Sequence, residues 1–342
     1  MTSTGAVEVS PAASAAWGQP TRRLRPPSTQ GVANLDALRS WRADAVHTLA
    51  DLLSLDLGRD DGRLTGLGQR TISGDPQLIT LSTSDGEIPC WLLTPEPDRR
   101  TGSGVVVVAG HGPGIDALVE PDPDEGDFHG GLALKLVAQG FTVLCPEMIS
   151  FGRRRTPMPA TAPTSANSCQ VDAMRGLLTG RPVLGRRVAD TLAATRALGT
   201  LDGVDPTKIA VVGGSGGGAI ALLAAALDDH IPAALVGTFF SSFADSFGSV
   251  PHCICNAVPD LLSWFEMADI AAMISPRRMI FEAGRHDPIF PITAAETAYA
   301  ELLDSWPEVS AHPPDLVITE AGHQFLANDS ITLLRRHLCP TL

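Results

Sequence analysis

The segment Gly213-Gly214-Ser215-Gly216-Gly217 surrounds one serine with four glycines. It follows the apolar run Ile209–Val212 and precedes the Ala- and Leu-rich segment 218–227. In a sharp turn from a strand to a helix, small residues two positions before and after the serine avoid a collision, and the hydroxyl stands clear of the sheet. The pattern predicts a nucleophilic Ser215, with a helix N-terminus directed at a developing oxyanion.

A glycine-rich loop of this kind could instead bind a phosphate. The segment lacks the lysine and the following Ser or Thr of a P-loop, and it fits the G-x-G-x-x-G pattern of dinucleotide-binding loops poorly. The nucleophile is therefore the favoured interpretation of the segment.

A serine hydroxyl needs a base to activate it, and the base needs an acid to orient it. Asp287 follows the apolar run Met279–Glu282. His323 follows the next apolar run, Leu316–Thr319. Both residues come just after predicted strands, in the chain order serine, acid, histidine. Asp245 is the alternative acid, but it lies one strand earlier.

An oxyanion hole requires two backbone N–H groups. Gly216, directly after the serine, is the first expected donor. The second donor should come from the loop that follows Val105–Val108. Pro113 in this loop has no N–H, which leaves His111 or Gly112. We expect the donor to be the backbone N–H of His111, from the register of the loop after the strand.

The connection at residues 150–186 is long, contains several prolines and shows no regular pattern. These features predict an insertion over the active site. One of Arg153, Arg154 and Arg155 could bind an anionic group of a substrate, and a solvated loop is the alternative. The candidate pocket residues are Glu147, Arg153, His252 and His286.

The elements that must position these residues alternate along the chain. Apolar runs with helical patterns between them predict an α/β fold with a mostly parallel, doubly wound sheet flanked by helices. The first two runs predict an antiparallel N-terminal edge, and Val105–Val108 predicts a strand that is buried on both faces. The predicted strands are 77–82, 88–94, 105–108, 141–145, 208–212, 233–236, 279–282 and 316–319.

Three regions are predicted along the chain. Residues 1–30 are rich in small residues and proline and are expected to form a disordered arm. Residues 31–68 are a helical extension, because leucines recur there at helical spacing, and it should pack on the main domain or mediate a homodimer. The α/β domain then covers residues 69–342, with the possible lid insertion at 150–186.

Composition excludes several function classes. The net charge of −13 over 342 residues disfavours binding to nucleic acids and to anionic membranes. No apolar run is long enough to span a bilayer, and the N-terminus lacks the pattern of a secretory signal, so a cytoplasmic location is expected. A small-molecule ester is the expected partner, without a cofactor.

The six cysteines are scattered along the chain. Cys253 and Cys255 form a C-x-C pair, but no second Cys/His pair lies near it in sequence. We therefore expect free thiols and no metal site.

These motifs resemble the α/β-hydrolase superfamily from about residue 69 onward, and within it the dienelactone hydrolase-like and acetyl xylan esterase-like branch. The residues that carry the resemblance to this branch are Ala109-Gly110-His111-Gly112-Pro113-Gly114, Val204-Asp205-Pro206, Pro259, Met267-Ala268-Asp269-Ile270, Pro276-Arg277 and Asp287-Pro288-Ile289-Phe290-Pro291. Glu147 departs from the pattern, since many relatives carry Asp there, and this would specialise the pocket.

The resemblance implies a serine hydrolase that cleaves a small acyl ester or a lactone through an acyl-enzyme. One alternative keeps the triad but changes the bond or the acceptor, as in a thioesterase, an acyltransferase or cyclase, or an amidase. A second alternative is a pseudo-hydrolase that binds a small molecule without turnover.

Overall fold

The computed structural model describes residues 21–28, 35–58, 62–66, 75–112, 114–120, 128–157, 167–307 and 312–339. The strands in this part of the chain are β1 (Arg63–Thr65), β2 (Gln77–Thr83), β3 (Gly86–Leu93), β4 (Gly104–Val108), β5 (Thr142–Pro146), β6 (Ile209–Gly214), β7 (Ala233–Gly237), β8 (Arg278–Gly284) and β9 (Asp315–Thr319). The α-helices are α1 (Leu35–Leu52), α2 (Leu132–Ala138), α3 (Cys169–Leu178), α4 (Val183–Leu198), α5 (Gly216–Leu227), α6 (Leu261–Trp264), α7 (Met267–Ala272), α8 (Ile292–Asp304) and α9 (Asp329–Leu338).

The strands form one sheet in the order β1-β2-β3-β5-β4-β6-β7-β8-β9. The pairs from β1 through β3 to β5 are antiparallel, and every pair from β5 through β4 to β9 is parallel. This confirms the predicted fold class. The chain leaves β4 towards β5 on one side and leaves β6 towards β7 on the other. The carboxyl ends of β4 and β6 therefore border the crevice in which such sheets bind ligands.

Helices cover both faces of the sheet. On one face, Leu136 of α2 and Leu334 of α9 belong to one buried apolar cluster. On the other face, Val188 of α4 and Ile220 of α5 belong to a larger cluster. The valines of β4 are fully buried and alternate between the two clusters, as a strand covered on both faces requires. In the part of the chain described, no helix combines the length and the apolar composition needed to cross a membrane.

The N-terminal extension packs on the α/β domain of its own chain. α1 buries Trp41, Ala45 and Leu49 and lies against α5. Where α1 has just ended, a side chain at Gly185 of α4 would meet the Leu53 carbonyl, with a Cβ only 2.0 Å from its oxygen. The extension is therefore built into the helical layer, while a homodimer through it stays a prediction.

Residues 21–28 lie against the domain, so the prediction of a disordered arm is wrong for this part. The Arg22 guanidinium donates to both carboxylate oxygens of Asp269, at 2.9 and 2.7 Å, and to Glu301 at 2.9 Å. The Thr21 hydroxyl donates to the Ser263 carbonyl at 2.8 Å. A bidentate ion pair on a carboxylate that is 1% exposed holds the segment in place. Residues 1–20 and 29–30 lie outside the described residues.

This contact predicts a measurable loss of stability in Arg22→Ala. The substitution leaves the buried Asp269 carboxylate without its cation, which should lower the free energy of unfolding by about 2–3 kcal/mol. Urea denaturation followed by circular dichroism measures the change. Arg39→Ala is the control, because Arg39 pairs with Asp36 at the exposed surface and its loss should change stability by less than about 0.5 kcal/mol. Equal effects of the two substitutions would contradict the assigned role of Arg22.

Candidate active site

The turn between β6 and α5 holds Ser215 in a conformation that side chains rarely adopt, with φ 52° and ψ −120°. A Cβ at Gly213 would lie 2.3 Å from the Gly217 carbonyl oxygen. A Cβ at Gly217 would lie 2.3 Å from the Val108 carbonyl oxygen. The two positions around the serine that were predicted to need glycine therefore have no room for any side chain.

Three side chains from three loops meet at the carboxyl edge of the sheet. Nε2 of His323 lies 3.0 Å from Oγ of Ser215. Nδ1 of His323 lies 2.8 Å from Oδ2 of Asp287. The structure thus brings together the three residues that the chain order singled out, within hydrogen-bond distance and in the order serine, histidine, aspartate. Such an arrangement can move a proton from the hydroxyl to the imidazole.

The carboxylate of Asp287 is buried and held by its own loop. Its Oδ1 accepts hydrogen bonds from the backbone N–H groups of Ile289 at 2.8 Å and Phe290 at 3.1 Å. These bonds leave Oδ2 directed at the imidazole of His323. The alternative acid, Asp245, is exposed and accepts a hydrogen bond from the Ser242 hydroxyl at 2.7 Å. Only Asp287 is therefore placed to orient the histidine.

The loop that carries His323 is locked to the sheet by an aromatic ring and a buried carboxylate. The ring of Phe325 is 1% exposed and fills the space beside Gly237, where a Cβ would lie 2.2 Å from it. Further along the loop, the Glu282 carboxylate of β8 accepts hydrogen bonds from the Ala327 N–H at 3.0 Å and from the Ser330 hydroxyl. Burial raises the pKa of Glu282. The position of His323 therefore depends on contacts beneath the loop.

The loop after β4 places one backbone N–H beside the turn between β6 and α5 that carries Ser215. A Cβ built on Gly216 would lie 3.3 Å from the His111 nitrogen, so these two residues are adjacent across the crevice. The preceding N–H, that of Gly110, donates to Nε2 of the buried His129 at 2.8 Å. That bond occupies the Gly110 N–H and sets the register in which His111 comes next. Sequence reasoning gave His129 no role, since nothing in its neighbourhood indicates one.

Comparisons with known proteins place this geometry in context. Residues 126–246 match the model of the acetyl xylan esterase (AXE1) family. YtaP of Bacillus subtilis (strain 168), a protein assigned to the hydrolases, is 29% identical over 214 residues, which are 60% of this chain and 67% of that protein.

Two solved structures extend the similarity to nearly the whole chain. A protein of Bacteroides fragilis NCTC 9343 assigned to the acetyl xylan esterases superposes with a TM-score of 0.68 at 16% identity, covering 88% of this chain and 80% of that one. A family 15 glucuronoyl esterase from Caldicellulosiruptor kristjansonii gives a TM-score of 0.60 at 14% identity, covering 95% and 92%.

The chain has the α/β-hydrolase fold. The predicted resemblance to this superfamily, and to its acetyl xylan esterase-like branch, is confirmed by the family match and the structural similarity. The same matches support an ester-hydrolysing enzyme. The surroundings of the serine are therefore of interest as a substrate pocket.

Glu147, a predicted pocket residue, lies beneath the pocket loops instead of lining them. Its side chain is 0% exposed and accepts hydrogen bonds from the backbone N–H groups of Ile115 at 3.2 Å and Arg153 at 3.3 Å. Its oxygens fill the space where Gly114 and Gly152 would carry side chains. Burial raises its pKa to about 7. Glu147 thus joins the loop after β4 to the start of the insertion, and the pocket assignment is wrong.

Two arginines at the start of the insertion, Arg153 and Arg154, form ion pairs with carboxylates of the protein. Arg153 pairs with Asp116 at 2.7 Å and lies over the ring of Trp91. Arg154 is nearly buried and pairs with Asp190 at 2.6 Å. Both guanidinium groups therefore brace the insertion, and the hypothesis that one of them binds a substrate anion loses its basis for these two residues.

The two histidines assigned to the pocket have different surroundings. His252 is half-buried, stacks on Phe247 at 4.0 Å and contacts Phe290, whose ring lies 5.8 Å from that of His323. Burial, and then the nearby His323, lower its pKa. His286 is exposed and lies 3.6 Å from the Glu320 carboxylate. His252 therefore adjoins the site, whereas His286 belongs to the surface.

A mostly apolar cavity of about 500 Å³ adjoins His252. Its wall includes Phe247, Val258 and Leu261, together with Leu177 of α3. Helix α3 lies within the segment predicted as an insertion, so that segment does contribute to a cavity beside the site. Whether it acts as a lid stays a prediction.

Four side chains that can bind a metal converge at the loop after β4. They come from three segments that are far apart in sequence, and their ligand atoms all lie within 4.8 Å of one another: His111, Cys169, Cys253 and Cys255. We call this group the thiol–imidazole cluster. The expectation of no metal site was based on the local sequence around Cys253 and Cys255, and the fold brings two further candidate ligands, His111 and Cys169, to this pair.

The raised pKa of Glu147 predicts a pH dependence of stability. A carboxyl group with a pKa of about 7 in the folded state and 4.5 as its ordinary value binds its proton more tightly when folded. Its contribution to stability is therefore complete below the lower pKa and is lost as pH rises through the upper one. Between about pH 5 and pH 8, the stability of the wild type relative to Glu147→Gln should fall by about 2–3 kcal/mol.

Urea denaturation of both proteins across this pH range measures the difference. Glu320→Gln is the control, since Glu320 is exposed and its hydrogen bond with Arg285 lowers its pKa. It should not reproduce the decline. A wild-type stability that stays parallel to that of Glu147→Gln at every pH would rule out a protonated Glu147.

Proposed function

We propose that this chain hydrolyses carboxylic esters through an acyl-enzyme, with Ser215 as the nucleophile, His323 as the base and Asp287 as the orienting acid. The observation that carries the proposal is the relay of 3.0 and 2.8 Å contacts through the His323 imidazole, built on a strained turn whose serine faces the crevice. The family match and the structural neighbours support the ester bond as the target.

In the first step, the Ser215 hydroxyl attacks the ester carbonyl while Nε2 of His323 takes its proton. Asp287 holds Nδ1–H and stabilises the imidazolium that forms. The carbonyl oxygen becomes an oxyanion and accepts hydrogen bonds from the N–H groups of His111 and Gly216. The imidazolium then returns the proton to the departing alcohol, and the acyl group stays on Ser215.

In the second step, His323 takes a proton from water, which attacks the acyl-enzyme carbonyl. The same two N–H groups receive the second oxyanion. When this intermediate collapses, the carboxylic acid is released and the imidazolium of His323 returns its proton to Oγ of Ser215. The closeness of His111 to Gly216 supports this assignment, because donors held in place before reaction lower the barrier most effectively.

The proposed substrates are small acyl esters of a hydroxylated, carbohydrate-like alcohol, with a lactone as a related possibility. The relative of similar structure in B. fragilis is assigned to the acetyl xylan esterases, and the family match is to the same group. The aromatic rings of Phe128 and Phe290 lie close to His323, with ring centroids 5.2 and 5.8 Å from the imidazole. Such apolar surroundings suit a short acyl chain beside the nucleophile.

A substrate panel with purified protein tests the proposal. We expect nitrophenyl acetate and acetylated xylo-oligosaccharides to be cleaved faster than long-chain esters, and a methyl glucuronate ester represents the second class of carbohydrate ester. Thioester and amide substrates, and an added alcohol as acyl acceptor, separate hydrolysis from the thioesterase, amidase and acyltransferase alternatives. Turnover of thioesters or acyl transfer in preference to hydrolysis would favour those alternatives.

Ser215→Ala should lower kcat for nitrophenyl acetate by a factor on the order of 10⁴–10⁶, because the attacking oxygen is lost. The same substitution should abolish labelling by a fluorophosphonate probe, which the wild type should accept. A wild-type protein that neither labels nor turns over esters would favour the pseudo-hydrolase. Activity retained in folded Ser215→Ala would overturn the assignment of the nucleophile.

Asp287→Asn should lower kcat by about 10²–10⁴, because an amide cannot stabilise the imidazolium and favours the wrong tautomer of His323. Asp245→Asn is the matched control, since Asp245 is exposed and contacts Ser242 instead of the histidine. Steady-state kinetics on one ester, with circular dichroism to verify folding, compare the two variants. A larger loss of activity in Asp245→Asn would assign the role of the orienting acid to Asp245, and the assignments of Ser215 and His323 would not change.

A further inference from the structure

We propose that the thiol–imidazole cluster is a structural Zn²⁺ site. Three thiols and one imidazole are a ligand set that Zn²⁺ prefers, and four protein ligands complete its tetrahedral coordination. Carboxylates are not part of the cluster, which argues against Mg²⁺ and Ca²⁺ as the ion.

The spacing of the ligand atoms fits this ion. Zinc–sulfur bonds of about 2.3 Å and zinc–nitrogen bonds of about 2.0–2.1 Å place tetrahedral ligand atoms roughly 3.5–3.8 Å apart. Nε2 of His111 lies 3.4 Å from Sγ of Cys169, and all four ligand atoms lie within 4.8 Å of one another. Small side-chain rotations would close the set around one ion.

A buried arginine supplies an independent argument. The Arg187 side chain is 1% exposed, and its Nη1 and Nη2 lie 3.2 and 3.4 Å from the sulfurs of Cys255 and Cys169. Its other described hydrogen bonds go to the Ile149 carbonyl, and its guanidinium stacks over Phe151 at 4.2 Å. Among the described residues no carboxylate pairs with it. Negative charge on these sulfurs would offset the free-energy cost of burying the guanidinium.

The charges balance when zinc is bound. Three thiolates and a neutral imidazole around Zn²⁺ carry a net charge of about −1, and the Arg187 guanidinium neutralises it. Neutral thiols would leave the buried guanidinium uncompensated. A disulfide between two of the cysteines would remove the charge on both sulfurs and would likewise leave Arg187 without a counter-ion. Metal-bound thiolates therefore explain the buried arginine better than either alternative.

The site joins three segments that are remote from one another in sequence. His111 comes from the loop after β4, Cys169 begins α3, and Cys253 and Cys255 lie in the segment before α6. All four positions around the ion are taken by protein, so no position is open for a substrate, and the role is structural. On the proposed function, zinc would also fix the residue whose backbone N–H serves the oxyanion hole.

Metal analysis of the whole chain, purified without chelators and without a metal-affinity step, tests the site. We expect about one zinc per chain by mass spectrometry of the elements. Protein produced with cobalt in place of zinc should show the charge-transfer absorption of cobalt–thiolate bonds. Protein that contains no zinc as isolated, and that in its reduced form takes up neither Zn²⁺ nor Co²⁺ in stoichiometric amount, would overturn the proposal.

Cys253→Ser and Cys339→Ser are matched variants, because both thiols are half-buried but only Cys253 belongs to the cluster. Cys253→Ser should lose most of the zinc and the cobalt–thiolate absorption, and Cys339→Ser should keep both. If Cys253→Ser does not fold, the cobalt–thiolate absorption of the wild type shows whether the cluster binds a metal ion. A disulfide among Cys169, Cys253 and Cys255 in freshly isolated protein, found by peptide mass spectrometry, would contradict the site.

Two measurements separate this proposal from the proposed function. Ser215→Ala should keep its full zinc content whether or not the chain is an esterase. Removal of zinc from the wild type should lower the melting temperature, and it should lower kcat by about 10- to 100-fold if His111 serves the oxyanion hole. Zinc binding without any ester hydrolysis would refute only the function. Ester hydrolysis by a protein that contains no zinc as isolated and takes up none when reduced would refute only the site.

Discussion

The close approach between the turn after β6 and the end of β4 constrains the whole site. The Gly217 backbone lies so near the Val108 carbonyl that no side chain fits between them, and this contact sets the distance from this turn to the loop after β4. Because Ser215 and His111 sit on the two sides of this contact, their spacing follows from the packing of two neighbouring parallel strands. The strained backbone of Ser215 is tolerated because the sheet and α5 hold both of its ends.

Buried polar groups hold the surrounding loops in position through hydrogen bonds. His129 accepts a hydrogen bond from a backbone N–H of the loop after β4. Glu147 accepts such bonds from that loop and from the insertion, and Glu282 accepts one from the loop that carries His323. Each group satisfies backbone N–H donors that would otherwise be unpaired at the edge of the sheet. The loops around Ser215 are thus held by buried polar groups that take no part in the proposed chemistry. Removal of these groups should affect function by displacing the loops.

The thiol–imidazole cluster extends the same principle to the insertion and to the segment before α6. These two regions contact each other beside the site through α3 and residues 254–256. A metal ion bound to both, and to His111, would connect the substrate-facing surface to the oxyanion loop. Arg187 then acts as the counter-charge for the thiolates, through its contacts with the buried sulfurs of Cys169 and Cys255.

The local sequence was sufficient to predict most of the strands and helices and the turn that carries Ser215. Val105–Val108 is uniformly apolar because both of its faces are covered. Gly213 is required by a contact within the turn of Ser215, and Gly217 by the close approach of this turn to Val108. Asp287 and His323 were identifiable because parallel strands end at one edge, so residues just after successive strands must be neighbours. Such features depend on residues that are adjacent in sequence or on the rule of chain order.

The remaining features required the tertiary structure. The segment 21–28 looks like a disordered arm, and only the buried Asp269 on a distant helix shows why Arg22 holds it. Cys253 and Cys255 show one half of a ligand set, but His111 and Cys169 join it only once β4 and α3 are packed. Ligand sets, buried ion pairs and braces of this kind depend on distances between remote segments, and sequence spacing does not encode those distances.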